Sequence, residues 1–394
     1  MAAIEPLAPA TPPGWRHRLG RLARRWASQG ARLLGALGGG VLAAGSAKAV
    51  DLPGDKAELM YHYYDGGGVV AQGPAVLVRK TVADKVTLSG SYFVDAVSNA
   101  SIDVVTTASP FHETRNEYGT GLSYAVRDTL MSLNLSRSKE PDYLADTVSA
   151  DMSQEVFGGM TTVAMGFSRG NDKIGQHGTS TGYIDSARHW QWRLGVTQVL
   201  TPRWLASLNF EAMNDDGFLG NAYRSARVFG ALVPERDPRT RSARALKWRA
   251  VGDVGEQGTR ASVNGAYRYF WDNWGISAHT LEAGYTRYVP LQQLWLVDGF
   301  ARLSHQHAAR FYSDNASAET TYITRSRQLS TFNSYSLGAR GTWTAKSVPG
   351  QYDLKVTGSL ERVHFDYLNF TDMRTGRPYS FTGWLVQMHV GATF

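Results

Sequence analysis

The chain has 394 residues and no cysteine, which excludes disulfide bridges, zinc–thiolate sites and thiol catalysis. Its mean hydropathy is −0.30, and no apolar run reaches the roughly 18 residues that indicate a membrane-spanning helix, so helical spans are excluded. The formal net charge of the chain is +7, of which residues 1–49 contribute +6 (six Arg and one Lys against one Glu). Residues 50–394 are left with +1, which gives no reason to expect nucleic-acid binding.

Residues 1–49 are predicted to be a secretory signal peptide. A basic, arginine-rich region precedes an uncharged stretch from Leu33 to Gly45, and Ala47-Lys48-Ala49 offers small residues to a signal peptidase. The uncharged stretch is too short for a transmembrane helix, which needs about 20 apolar residues. We therefore expect cleavage after Ala49, with residues 50–394 forming a single domain.

Residues 50–394 contain about sixteen segments in which apolar and polar residues alternate, the pattern of a β-strand with two different faces. The clearest segment is 86–96. The predicted fold is all-β, a transmembrane antiparallel up-and-down β-barrel of about 16 strands, with 14 and 18 as alternatives. A secreted β-sandwich or propeller would also alternate, but no blade-like repeat of about 40 residues is visible.

The connections between these segments alternate between short and long, which predicts short periplasmic turns and long extracellular loops. The predicted turns are 83–85, 127–129, 157–159, 200–203, 251–257, 289–293 and 346–350. The predicted loops are 65–73, 98–115, 170–183, 214–238, 306–327 and 367–379.

Aromatic residues cluster at both ends of the predicted strands, as in the girdles that mark the two membrane interfaces. The predicted periplasmic girdle contains Trp204, Trp295, Trp343 and Phe394, with Tyr288 beside them. The predicted outer girdle contains Trp190 and Tyr269, with Tyr63, Tyr118 and Tyr143 beside them.

The last predicted strand ends on Phe394. Trp384, Val390 and Phe394 share its apolar face at a period of two. A strand that ends on an aromatic residue resembles the signal that the bacterial barrel-assembly machinery reads, so we expect that machinery and outer-membrane lipid as partners.

Charged residues on the opposite faces of the strands are predicted to line the lumen. Both signs are interspersed, so no strong ion selectivity is expected. Two interpretations remain open: a ladder of charges across a water-filled pore, or a network of salt bridges filling a narrow lumen. The candidates are Arg193, Glu211, Arg260, Arg268, Glu282, Asp298, Arg302, Arg340, Lys355 and Glu361.

The loop 214–238 is too apolar for a fully solvated connection. It is expected either to fold inward as a constriction or to offer a docking surface to a partner. Its candidate residues are Phe218, Tyr223, Arg224, Arg227 and Arg236.

No catalytic, cofactor or metal site is predicted. Ser304-His305, Ser186 with His189, and His364 with Asp366 are the nearest catalytic arrangements, and none belongs to a recognisable motif. The His305 and His307 side chains share one strand face, a spacing that can bind a metal, but such pairs are more often polar surface. The turn chemistry of 214–217 explains its acidic residues without calcium.

Several motifs resemble the bacterial DUF3570 proteins, an uncharacterised family. The resemblance covers nearly all of residues 50–394 and implies a Gram-negative outer-membrane barrel, encoded near a small lipoprotein and redox-maturation proteins. The motifs are residues 55–65, 91–98, 103–110, 157–162 and 217–236.

The expected function is a channel or transport-related pore for small solutes in the outer membrane. The alternatives are a structural sheath or docking barrel for a periplasmic or lipoprotein partner, which a redox or flavin link would suit, and, more remotely, a barrel enzyme. The sequence does not identify a solute, the state of the lumen or the oligomeric state.

Overall fold

The computed structural model describes residues 52–99, 111–175, 183–221, 224–256, 260–290 and 294–394, so the predicted signal peptide and Tyr223 lie outside the described residues. The strands are β1 Lys56–Gly66, β2 Val69–Ala83, β3 Val86–Asn99, β4 Phe111–Val126, β5 Thr129–Glu140, β6 Tyr143–Val156, β7 Thr161–Gly175, β8 Tyr183–Thr201, β9 Trp204–Gly217, β10 Ser225–Val228, β11 Ala231–Pro234, β12 Thr240–Asp253, β13 Ala261–Asp272, β14 Ser277–Pro290, β15 Leu294–Gln306, β16 Phe332–Val348, β17 Tyr352–Asp372 and β18 Arg377–Thr393. A short 3-10 helix spans Arg327–Leu329. No helix in the described ranges is long and apolar enough to span a membrane.

Sixteen of these strands close into one antiparallel barrel, in which each strand pairs with its neighbours in the chain. The exceptions are β10 and β11, which form a separate hairpin between β9 and β12. The barrel closes where β1 pairs with β18, in a register that runs from Lys56 opposite Thr393 to Gly66 opposite Gly383. The predicted all-β, 16-stranded barrel is therefore confirmed.

The alternation of the strands places apolar side chains on the outside of the barrel. Leu337 is 70% exposed, and Leu281, Leu303 and Met388 are between 49% and 60% exposed. In a soluble protein such a continuous apolar surface would be unfavourable, but it is the surface that a membrane-spanning barrel presents to lipid. The fold is that of an outer-membrane β-barrel.

One end of the barrel, here called the turn end, carries the connections β2–β3, β4–β5, β6–β7, β8–β9, β12–β13, β14–β15 and β16–β17. The opposite end, here called the loop end, carries the others. Long polar connections were predicted there, and several are wrong. The connection expected at 65–73 is a tight turn, because Gly67 and Gly68 adopt the positive φ values that such a turn needs.

The other loop-end predictions err in the same direction. β4 begins at Phe111 inside the predicted loop 98–115, and β17 and β18 extend to Asp372 and from Arg377 inside the predicted loop 367–379. These strand ends lack a regular alternation, since residues 112–115 are all polar and Tyr367 and Leu368 are apolar neighbours, so no strand is recognised there. They remain paired with their neighbours beyond the apolar belt.

Candidate functional site: the lumen and its loop-end mouth

Two long connections cover the loop-end mouth of the barrel, and together they are here called the loop unit: residues 218–239, which contain β10 and β11, and residues 307–331. Their backbones are joined by hydrogen bonds. The N–H of Phe229 donates to the carbonyl of Ala316 at 2.9 Å, and Arg236 and Ile323 exchange two bonds of 2.9 Å. Residues 218–239 therefore fold onto the second loop and do not extend freely into solvent.

Side chains reinforce this contact. One carboxylate oxygen of Glu235 accepts hydrogen bonds from the hydroxyl of Thr324 and the N–H of Arg325, both at 2.8 Å. The guanidinium of Arg224 donates to the hydroxyl of Ser326. Glu235 is only half-buried, but a carboxylate that accepts two bonds at this distance is a strong link between two loops.

The loop unit is also packed against the inside of the barrel wall. Leu219 and Leu329, at 3% and 4% exposure, belong to one apolar cluster with inward-facing residues of β6, β7, β8, β12 and β13, including Ala245 and Phe270. Phe218 packs against the same cluster. An apolar interior at this level is possible only because the loops fill it.

On the other side of the mouth, arginines of the second loop stack on aromatic rings. The guanidinium of Arg325 lies 4.4 Å from the ring centroid of Phe370, which is fully buried near the loop end of β17. The guanidinium of Arg327 lies 5.3 Å from the centroid of Phe381 on β18. The loop unit thus reaches from the β6–β13 wall to the β17–β18 wall and constricts the mouth.

The sequence indicated the first loop of this unit and missed the second. Of the predicted loop residues, Arg224 is buried in the contact, Arg227 reaches the carbonyl of Gly230 at 3.4 Å, and Arg236 pairs with Glu319 at 2.8 Å. Residues 307–331 contain buried polar side chains that have no periodicity. The aromatic residues at 311 and 312 were the available signal for an inward fold.

The predicted lumen charges form ion pairs that lie along the wall. Arg193 pairs with Asp151 at 2.6 Å, and Arg340 pairs with Asp298 at 3.1 Å. Each of these pairs joins strands that are adjacent or next but one in the barrel, so neither crosses the lumen.

A longer chain of ion pairs continues around the same wall. Arg302 contacts Glu282 at 3.1 Å and Glu361 at 3.4 Å, and Arg268 lies 4.0 Å from Glu211. Since every partner comes from a nearby strand, the pairs line the barrel without bridging its opposite walls. The other two candidates differ: Arg260 lies at the turn-end rim with its guanidinium 5.7 Å from the ring centroid of Tyr288, and Lys355 is exposed on the inward face of β17.

The middle of the lumen is solvated. Ser91 and Asn134 face inward, because each is the immediate neighbour in its strand of a lipid-facing residue, Tyr92 and Leu133 respectively. Both inward-facing side chains are nevertheless exposed to solvent. An inward-facing side chain can be exposed only if the space in front of it is free of protein. The hollow part of the barrel therefore lies between the loop unit and the turn end.

Of the predicted girdle residues, Trp204, Trp295 and Trp343 lie toward the turn end of the barrel, whereas Trp190 lies near the middle of β8 and Tyr269 in the loop-end half of β13. Trp295 and Trp343 are register partners near the turn end, with parallel rings 6.1 Å apart, and Trp204 begins β9 at 42% exposure. Trp190 has the Arg188 guanidinium 5.6 Å from its ring centroid, and Tyr269 stacks on Trp271 at 5.2 Å.

Two of the accompanying aromatic predictions are wrong. Tyr143 is 6% exposed, faces inward and donates a hydrogen bond to the carboxylate of Asp172. Tyr288 shares the inward parity of Glu282. Tyr143 follows a tight turn, and a short polar strand gives too little alternation to decide which face a side chain occupies.

The predicted assembly residues lie at the closing seam. Trp384 and Val390 are exposed outward at 44% and 42%. The N–H of Phe394 donates to the carbonyl of Asp55 at 3.1 Å, and the Lys80 ammonium lies 5.5 Å from the ring centroid of Phe394.

The carboxylate of Asp55 holds the start of β1 to the end of β2. It accepts from the Lys80 ammonium at 2.6 Å and from the N–H of Thr81 at 2.5 Å. These hydrogen bonds, that of Lys80 first, lower the pKa of the Asp55 carboxyl to about 2. Because Asp55 precedes β1, this contact lies at the turn-end rim and fastens β1 to β2 there.

A buried ionic cluster was not anticipated. His62 on β1 lies 2.5 Å from the carboxylate of Asp95 on β3, and Arg115 on β4 donates to the same carboxylate at 2.7 Å. All three are below 9% exposure. His62 reaches across β2 because Gly73 has no side chain, and a β-carbon there would lie 2.0 Å from the carbonyl oxygen of Val94. His62 and Asp95 lie within two of the family-like motifs, which was the available signal.

The side chains considered for catalysis or metal binding pair with polar groups beside them. Ser304 bonds Thr280 at 3.0 Å, His305 bonds Asn333 at 2.7 Å, and His364 contacts Asp366 at 3.0 Å. Within the described ranges there is no group of three or more His, Cys, Asp or Glu side chains that could hold a metal ion.

The model of one protein family matches the chain. Its description is "Protein of unknown function (DUF3570)", and it matches residues 99–189 and 179–361. No curated protein matches the chain.

Solved structures with a similar fold include several outer-membrane proteins. A "Bacterial polysaccharide outer membrane secretin" has a TM-score of 0.49 and 8% identity, with 86% of this chain and 98% of that chain covered. Pseudomonas aeruginosa OpdK with vanillate has a TM-score of 0.42 and 10% identity, with 86% and 98% covered. A Pseudomonas aeruginosa FadL homologue has a TM-score of 0.40 and 12% identity, with 86% and 90% covered. Identities this low say nothing about function.

Proposed function

The chain belongs to the DUF3570 family, and we propose that it is an outer-membrane channel for small solutes whose loop-end mouth is closed by the loop unit in the conformation described. The turn end faces the periplasm, as short turns do in such barrels. The proposal includes no catalytic activity. It includes secretion of the chain and cleavage after Ala49, which N-terminal sequencing of the membrane form would test.

The observation that carries the proposal is a hollow middle beneath a filled mouth. A 16-stranded barrel is wide enough for an aqueous channel, and the inward-facing Ser91 and Asn134 are solvated. The wall charges are paired with their neighbours, so they leave the cross-section free. Among the described residues, the loop unit is the part that fills the mouth on the outside.

The experiment is single-channel conductance in planar bilayers for the intact protein and for a variant that lacks residues 218–232. We expect low or intermittent conductance for the intact protein and large, steady conductance for the deletion. Retained heat-modifiable migration on gels would show that each barrel has folded. A folded deletion variant that conducts no ions would refute the channel.

A tether provides the matched control. The chain has no native cysteine, and Val228 and Ala316 are bridge partners across the two loops. A Val228→Cys/Ala316→Cys pair is therefore expected to form a disulfide. Oxidation should suppress the openings of the intact barrel, and reduction should restore them. Openings that are equally frequent in both redox states would mean that the two loops need not separate.

A docking barrel for a periplasmic partner is the second candidate, and one observation favours it. Phe157, at the turn between β6 and β7, is 82% exposed and has a φ of 53°, and Met160 beside it is 47% exposed. A bulky residue in left-handed conformation on an exposed turn is unusual without a contact. Photo-crosslinking from position 157 should capture one lipoprotein partner, whereas position 128 on the neighbouring turn should not. Equal products from both positions would argue against docking at this turn.

A further inference from the structure

Part of the lumen wall, in the middle of β3 to β7, carries only one charged side chain, and that side chain is paired. Inward-facing residues of β3 to β7 form three cross-strand rows, from Thr87 to Gly166, from Ser89 to Ser168 and from Ser91 to Gly170. Of their fifteen positions nine are Ser or Thr, four are Gly, one is Asn and one is Asp. These three rows are here called the hydroxyl wall. Its single acid, Asp151, is neutralised by Arg193 at 2.6 Å.

The hydroxyl wall contains no bulky side chain. A β-carbon on Gly119 would lie only 2.4 Å from the hydroxyl oxygen of Ser91. A β-carbon on Gly121 would likewise lie 2.5 Å from the hydroxyl oxygen of Ser89. The glycines let these hydroxyls lie flat against the wall. Five adjacent strands therefore offer a shallow surface of groups that both donate and accept hydrogen bonds.

The wall formed by β8 to β17 has the opposite chemistry. It carries the chain of ion pairs centred on Glu282 and Arg302. A charged solute must compete there with partners that are already bound, whereas the hydroxyl wall offers it no counter-charge. A neutral solute with many hydroxyl groups can exchange its hydrogen bonds with water for hydrogen bonds with the hydroxyl wall at little cost.

We propose that the solutes of this channel are uncharged and polyhydroxylated, sugars or polyols, and that they pass along the hydroxyl wall of β3 to β7. This inference rests on the proposed channel function and adds the substrate class to it. The selectivity comes from a continuous surface of hydroxyl and backbone groups, with no charged constriction along the path.

The test compares two tryptophan substitutions in a variant whose mouth is open, such as the deletion of 218–232. Ser136→Trp places a bulky ring on the hydroxyl wall, and Ser359→Trp places the same ring on the inward face of β17. Proteoliposome fluxes of glucose and gluconate are measured, and each is divided by the KCl conductance of the same preparation.

We expect glucose flux to exceed gluconate flux before substitution. Ser136→Trp should lower the ratio of glucose flux to KCl conductance about fivefold, whereas Ser359→Trp should change this ratio less than about twofold. Equal reductions by both substitutions, or equal glucose and gluconate fluxes before substitution, would overturn the proposed substrate class while leaving the channel intact. Absence of KCl conductance in the open variant would instead overturn the channel itself.

Discussion

The carboxylate of Glu235 links the two loops of the loop unit, and its removal should open the barrel. That carboxylate accepts two hydrogen bonds of 2.8 Å from the second loop, from Thr324 and Arg325. Hydrogen bonds to a charged group each contribute about 1.5–3 kcal/mol. Because Glu235 is half-buried, solvent weakens each bond, and we take about 1–2 kcal/mol per bond, or about 2–4 kcal/mol for the two together.

This free energy converts directly into an opening equilibrium. About 1.4 kcal/mol corresponds to a factor of ten, so Glu235→Ala is expected to raise the ratio of open to closed states about 30- to 1,000-fold. Glu235→Gln keeps a neutral acceptor and should have a smaller effect, about 5- to 30-fold. The assay is the open probability in single-channel records at fixed voltage.

Glu319 supplies the matched control. It pairs with Arg236 at 2.8 Å in the same loop unit, but both side chains are largely exposed, at 59% and 44%. An exposed pair of this kind contributes about 0–1 kcal/mol, so Glu319→Ala should change the opening ratio less than about fivefold. The reasoning would be refuted if Glu235→Ala and Glu319→Ala changed the opening ratio equally. It would also be refuted if Glu235→Ala left the opening ratio of a folded barrel unchanged.

Three further predictions concern the barrel. The lowered pKa of Asp55 means that its link to Lys80 stabilises the contact between β1 and β2 fully above about pH 4 and loses this effect as the pH falls toward 2. Asp55→Asn should therefore lower the temperature of heat modification at pH 7 but not at pH 2; the same difference at both pH values would argue against the link. Gly73→Ala should prevent folding, because its β-carbon would meet a backbone carbonyl, whereas Gly90→Ala, with free space around it, should fold normally in the same gel assay. Leu337→Lys should cost about 2–4 kcal/mol in lipid, measured by unfolding in urea, and an unchanged midpoint would place that position outside the membrane.

The alternation of apolar and polar residues was sufficient to predict the barrel and about 16 strands, with 14 and 18 as alternatives that the structure removed. In a segment such as 86–96, each lipid-facing residue is followed by a lumen-facing one. A membrane-spanning barrel requires this apolar outer surface on every strand, and a soluble protein does not. The position of Leu88 outside and Ser89 inside follows from this period alone. The same reasoning placed Arg302 and Glu282 on the inward face.

The sequence could not decide what the inward-facing charges do. Arg193 pairs with Asp151, which is 42 residues away, because the strand register brings β6 and β8 within reach of each other across β7. Register and stagger are properties of the closed barrel as a whole. The choice between a charge ladder across the pore and paired charges along its wall therefore depended on the tertiary structure.

The sequence by itself determined the architecture of this protein, because lipid and water select residues position by position along each strand. It did not determine the closure of the mouth. Thr324, Ser326 and Ser330 are buried at 0–2% exposure although nothing in their polarity indicates burial. Their burial arises from hydrogen bonds to the first loop and to their own backbone. Contacts between loops that are about 90 residues apart carry no period, so only the folded chain could decide them.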